Sequence, residues 1–511
     1  MKKTLFLFIF ILVLLTENVC SPVVVEDKVY AVVVSKSTLS KPGWKKIVDK
    51  LVEKYSALVL VYKDDLREVH FNLSRLAPDY VCFIATLNEA SPEFVKSVNR
   101  LMRELDSDPY VDAIWAILTG YSYEDILKIL SLSRLKVKRI LACCCVKWVY
   151  YVKEGGVMKP ETKYGLLYII YPNGTKVEKK IPKDSTLLLA DLVNSNQFDM
   201  IITSGHGNHN RWQVHYPSPW PEGYFISQDG KVYAIAANNS ARLIKSTNPK
   251  IYFGLGNCYI GAILGKDSMA PAWIHSGGAV FYTGYVIEEG PYSYMMGGIP
   301  AYFIEQDNYT WAEAFFANQQ SAIFDMINLV PGPNHEYLKK DINGPALYGD
   351  PALDVRAEVS IKRMYTRFIH VEYLNQTCMN ITVGIVMNKD GTPGWNGKWG
   401  NRHPVIVLPF RVENVTVIST NAYKAVVADN FVLLYVWKKG DPPLKKGSVY
   451  YVSFTAYLMK RPRKIPSAEK KEAFLWTTLV VLLAGVSAVV IVLVVFKIRK
   501  KIFSKSTSEF T

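Results

Sequence analysis

Two side chains of this sequence pair a nucleophile with a base: Cys258 in Ile251-Tyr252-Phe253-Gly254-Leu255-Gly256-Asn257-Cys258, and His206 in Ile201-Ile202-Thr203-Ser204-Gly205-His206-Gly207. A thiol attacks a carbonyl only as thiolate, and an unperturbed thiol near pKa 8.5 is mostly protonated at neutral pH. An adjacent imidazole takes that proton, stabilises the thiolate and returns the proton to a leaving amine. Glycines beside both residues let the backbone approach closely, so the amides of Gly207 and Cys258 are candidates for an oxyanion hole. His209, His215 and His275 are rival bases. His209 borders the Pro- and Trp-rich stretch 210–221, His215 falls within it, and His275 falls at a predicted helix end. A metal site on His206, His209 and His215 lacks an acidic or cysteine partner at ligand spacing. Asp191 and Asp199 precede His206, but no pattern singles out either as the group that orients the imidazole.

Positioning such a pair takes two strands side by side. Each motif is a short apolar run rich in β-branched or aromatic residues and ended by glycine, the pattern of a buried strand leaving its sheet. Open α/β sheets carry their sites at the carboxyl edge of the strands. Before the pair, strands at 29–34, 58–62, 80–86 and 113–118 alternate with helices at 41–55, 92–105 and 123–130, a parallel-sheet rhythm. This predicts an N-terminal α/β subdomain over 27–135. A second α/β subdomain, 136–356, would carry the site. Within it, apolar stretches at 146–153 and 164–171 around Gly155-Gly156 predict antiparallel hairpins, followed by a helix at 185–194, a strand at 279–283 and helices at 292–306 and 311–329. Residues 359–459 alternate with period two between turn clusters, which predicts a β-sandwich.

The ends and the composition place the chain. Residues 1–21 have a basic start and an apolar run too short to span a bilayer, the form of a signal peptide. Residues 473–496 carry no charge and are long enough to cross a hydrocarbon core of about 30 Å. A charged stalk, 460–472, precedes them and a basic tail, 497–511, follows, so the tail is expected in the cytoplasm and the large domain outside the cell. Seven Asn-x-Ser/Thr sequons, at Asn72, Asn173, Asn238, Asn308, Asn375, Asn380 and Asn414, fit an exported glycoprotein surface. The seven cysteines form neither a zinc spacing nor a disulfide framework, and Cys143-Cys144-Cys145 lies in an apolar run that reads as a buried strand. Formal net charge is +15 over 511 residues, yet the basic residues are dispersed or flank the expected span, so no nucleic-acid partner is indicated. No cofactor or metal is expected.

Taken in order, Ser204-Gly205-His206-Gly207, Gly256-Asn257-Cys258, the run from Gly277 to Gly284 and Leu347-Tyr348-Gly349-Asp350-Pro351-Ala352-Leu353 resemble the gingipain-type cysteine peptidases, which share the caspase-like fold. The resemblance covers roughly residues 28–356. It implies a three-layer α/β catalytic region, His206 as base, Cys258 as nucleophile and the amides of Gly207 and Cys258 as oxyanion donors. It also implies that the loop after the 279–283 strand walls the specificity pocket, here with Tyr285, Glu288 and Glu289, where a carboxylate would favour a basic P1 side chain. The insertion between His206 and Cys258 and the C-terminal span depart from a freely secreted peptidase, and no calcium-site motif carries over. The expectation is a membrane-anchored, outward-facing cysteine endopeptidase acting on protein or peptide substrates. Its alternatives are a catalytically silent adhesion or assembly module and a transpeptidase using the same dyad.

Overall fold

The computed structural model describes residues 27–288, 298–329, 333–394 and 402–462. The expected signal peptide, membrane span and tail therefore lie outside the described residues, as does nearly all of the stalk. Among the described residues no helix is long and apolar enough to cross a membrane.

The chain is mixed α/β, built on one large, mostly parallel sheet. Its twelve strands run, from edge to edge, Leu58–Tyr62, Tyr30–Ser35, Tyr80–Ile84, Ile114–Leu118, Pro345–Tyr348 and Ala279–Tyr285, then Lys250–Gly254, Met200–Thr203, Ile140–Cys143, Gly156–Met158, Leu166–Ile170 and Lys176–Lys180. Strands of both predicted subdomains thus share one sheet. The joint is Pro345–Tyr348, which lies parallel to Ile114–Leu118 and antiparallel to Ala279–Tyr285. Sequence periodicity did not mark it, because four residues flanked by Gly344 and Gly349 are too short to show a period. Just beyond it, the buried Asp350 accepts the hydroxyls of Tyr30 (2.9 Å) and Tyr55 (2.6 Å), tying the two halves together.

Central strands are buried on both faces, as a parallel sheet covered by helices requires: every residue of Lys250–Gly254 and Met200–Thr203 is buried. Trp311–Asn328 is buried nearly all round because it lies between the sheet and the C-terminal β region. Thr310 and Glu313 close its N-terminus with a capping box. Two departures from the predicted pattern bear on the site. The apolar stretch at 146–153 is a 3-10 turn at Lys147–Tyr150 rather than a strand, and it leaves the sheet just after Cys143. The 210–221 stretch contributes one short strand and then a loop to a separate five-stranded antiparallel sheet, Gly207–Asn208, Arg211–Gln213, Tyr224–Gln228, Lys231–Ile235 and Ala241–Leu243, inserted between the histidine and cysteine strands.

Beyond residue 360 a four-stranded and a three-stranded sheet, all antiparallel, share one apolar cluster that includes Ile381, Ile385, Val432, Leu434 and Phe454. This matches the period-two pattern of the sequence.

Candidate active site

Met200–Thr203 and Lys250–Gly254 are adjacent and parallel, with Thr203 opposite Gly254. His206 follows the first strand by three residues and Cys258 follows the second by four, so both leave the same carboxyl edge. Leu255 keeps the two exits together by donating its N–H to the Thr203 carbonyl at 2.8 Å. Turning the chain here needs positive φ at Gly205 (90°) and Gly256 (77°), which glycine supplies without strain.

A polar chain sets the distance between the loops. Thr203 Oγ1 donates to Asn257 Oδ1 (2.9 Å), so the hydroxyl of Tyr252 is the donor in its 2.8 Å bond to Thr203 Oγ1. The other end of the Asn257 amide donates Nδ2–H to the Gly205 carbonyl at 2.8 Å. The residue before the thiol is thereby fastened to the residue before the imidazole. A Cβ on Gly207 would lie 3.0 Å from Asn257 Cβ and 3.3 Å from the Cys258 carbonyl oxygen, so any larger residue would push the two loops apart by a few tenths of an ångström.

Cys258 is half-buried and His206 exposed, and both line one cleft of about 550 Å³. The described cysteines, Cys258 and Cys378 among them, are thiols. Beside the imidazole stands the Tyr216 ring, 4.9 Å away between centroids and tilted by 49°. The aspartates upstream are engaged elsewhere: Asp199 accepts the N–H groups of Lys138 and Arg139, and Asp191 pairs with Arg242. Of the rival histidines, His215 is buried with Nδ1 on the Ser218 carbonyl at 2.7 Å, His209 bonds its neighbour Asn208, and His275 pairs with Asp125 at 3.0 Å. Burial lowers the His209 pKa. None of the three is a wall of the cleft.

Of the three residues expected to wall the pocket, two are described, and neither lines the cleft among the described residues. The strand predicted at 279–283 continues to Tyr285, because Pro345–Tyr348 pairs with it and sets Tyr285 opposite Pro345. Tyr285 is accordingly fully buried in the sheet, Glu288 is exposed outside the cleft, and Glu289 lies outside the described residues. Instead the cleft draws Cys144, Cys145 and Glu161 from the edge beyond the histidine strand, and Arg402 from just before the strand Val405–Val407 of the C-terminal β region. One carboxylate oxygen of Glu161 is buried without a hydrogen-bond partner among the described residues. Burial pushes the Cys144 and Cys145 thiols up, and the nearby Glu161 charge adds to the rise, so neither has thiolate character at neutral pH. Glu161 and Arg402 escaped sequence reasoning because one sits in a polar turn after Gly156–Met158 and the other some 140 residues beyond the cysteine; only the fold brings them in.

A second cavity, of about 580 Å³, lies where the α/β and β regions meet. Four of its charged groups pair with one another, Lys28 with Asp79 at 3.2 Å and Arg367 with Asp307 at 2.6 Å, and Arg411 pairs with Asp429 beyond its wall. Among the described residues, Asp106, Asp108 and Asp112 form a carboxylate cluster at the opposite edge of the sheet, before Ile114–Leu118. No protein-family model matches the chain, and no curated protein matches it significantly.

Proposed function

We propose that the chain is a cysteine endopeptidase of gingipain type with a caspase-like catalytic arrangement, tethered outside the membrane by residues 473–496. The observation that carries the reading is the shared cleft: a thiol and an imidazole leave adjacent parallel strands at one edge and are coupled through Asn257. His206 removes the thiol proton as Cys258 Sγ attacks the peptide carbonyl carbon. The negative oxygen of the tetrahedral intermediate takes the amides of Gly207 and Cys258, where one donor is worth roughly 3–4 kcal/mol. Collapse breaks the C–N bond, and His206 returns its proton to the departing amine. Water, deprotonated in turn by His206, hydrolyses the thioester and restores the thiol. Glu161, a carboxylate in the cleft wall with one buried oxygen unpartnered among the described residues, gives this site its preference for a cationic P1 side chain.

The test is covalent labelling of the purified full-length chain with a peptidyl electrophile carrying Arg or Lys at P1. Mass spectrometry should find the adduct on Cys258, and Cys258→Ala or His206→Ala should abolish it. An adduct that persists in Cys258→Ala, or a wild-type chain that takes none, ends the proposal.

A further inference from the structure

Outside the reacting groups, Lys159 and Glu222 form an ion pair whose side chains are both wholly buried. Such a pair contributes little net stability, since desolvating two charges offsets most of their attraction, and apolar side chains of similar volume often serve as well. What it does fix is geometry, and its location shows whose. The Lys159 N–H donates to the Ala142 carbonyl at 2.8 Å, which anchors the residue to the strand beside the histidine strand. Lys159 Nζ also donates to the Val214 carbonyl at 3.2 Å. The second oxygen of Glu222 accepts the hydroxyl of Ser185, at the start of the helix Thr186–Asn194.

Val214 and Glu222 are the two feet of one loop, closed where Val214 N–H donates to the Gly223 carbonyl at 3.2 Å. The loop is tied internally by Gln213 Nε2, which reaches the carbonyls of His215 (2.6 Å) and Pro217 (2.9 Å). It is held to the cleft floor by Tyr216 N–H on the Glu161 carbonyl at 2.9 Å. The side chain it delivers is Tyr216, against Gly205 and beside the His206 ring.

Building on the peptidase reading, we propose that the buried Lys159–Glu222 pair is a positioning element for the catalytic base. It clamps both feet of loop 214–222, and Tyr216 at the loop's crest holds the imidazole toward the thiol. An aromatic face carried on a clamped loop here takes the part that an orienting carboxylate plays elsewhere.

The experiment is the pH profile of Cys258 alkylation by iodoacetamide in the full-length chain, read by mass spectrometry of the Cys258 peptide. It reports thiolate formation beside His206 and needs no turnover. In the doubly apolar variant Lys159→Met/Glu222→Met, with circular dichroism unchanged, the profile should move up by about one pH unit as the base loses its orientation toward the thiol. Tyr216→Ala should give the same shift, and adding it to the double variant should give no more. On peptide substrates kcat should fall about tenfold with KM within about twofold, the signature of a displaced catalytic group rather than lost binding. If the double variant does not fold, Glu222→Gln, which keeps the shape and one of the two acceptor oxygens while removing the charge, carries the same comparison with Tyr216→Ala. A wild-type profile in the folded variant, or additive shifts, overturns the clamp. Shifts as expected in a chain that cleaves no peptide would keep the clamp and end the peptidase reading instead.

Discussion

The cleft and the joint between the α/β and β regions are both crowded with polar side chains, and they use them in opposite ways. At the joint, Arg411 is 2% exposed and donates to Asp429 at 2.6 Å and to the carbonyls of Pro78 and Asp112. His403, wholly buried, meets Asp325 at 2.6 Å, and Asn430 reaches the Asp112 carbonyl at 2.9 Å. In the cleft, His206 is exposed and Glu161 keeps a buried oxygen with no partner among the described residues. Charges saturated by one another hold two regions together, although Arg411 Nε and His403 Nδ1 stay buried without a hydrogen-bond partner among the described residues. Groups left with hydrogen-bonding capacity toward an open volume are the ones available to a substrate.

The largest effect should come from breaking the saturated side. Arg411→Ala strands Asp429 and the Pro78 carbonyl in a buried joint, since Asn430 still reaches the Asp112 carbonyl, and losing one partner of a buried pair costs about 3–5 kcal/mol. Thermal or urea unfolding should show that loss, while the folded fraction keeps the wild-type rate of Cys258 labelling. A change under about 1 kcal/mol would mean the joint does not depend on this residue.

On the unsaturated side, Glu161→Gln keeps shape and removes charge. For substrates with Arg or Lys at P1, kcat/KM should fall about 30-fold, near 2 kcal/mol for one charge-assisted hydrogen bond, with little change for neutral P1. Equal losses on both substrate classes would remove Glu161 from specificity. Asn257→Ala should act more weakly and without regard to P1. It deletes two neutral hydrogen bonds, so about a tenfold loss in kcat at unchanged KM is expected. If kcat holds, the loops are set by the sheet alone.

How much of this was legible in sequence follows from the range of the forces involved. The strand ends carrying His206 and Cys258 could be read because burial on both faces writes a local signal, an apolar run stopped by glycine. The four N-terminal strands and their helices fell within a few residues of the predicted bounds for the same reason. What could not be read depends on pairing between distant segments. Tyr285 became core because residues 345–348 extended its strand, and Glu161, Tyr216 and Arg402 met only through tertiary packing. The inserted five-stranded sheet was hidden because its strands are short and its prolines and glycines look like loop. Asn257 sat in the quoted motif, yet its role needed the Gly205 carbonyl opposite it.

The smallest expected effect concerns the acid excess beside Arg411. Burial, with the neighbouring Asp106 and Asp429 charges, pushes the Asp108 carboxyl up from 3.8 to about 6, against the opposing hydrogen bond from the Tyr110 N–H. Between those values the folded chain holds the proton more tightly than the unfolded one, so this group's contribution to stability declines as pH rises from about 4 to 6. The full penalty is then present at pH 8. Asp108→Asn retains an acceptor for Tyr110 and removes the charge, so at pH 8, in chelator, it should stabilise the chain by about 1 kcal/mol, after discounting for partial exposure. At pH 4 the gain should vanish, since the wild-type group is then protonated in the folded chain. Calorimetry at the two pH values decides: a gain of the same size at both would trace to packing, and the carboxylate cluster would then belong with the saturated groups of the joint.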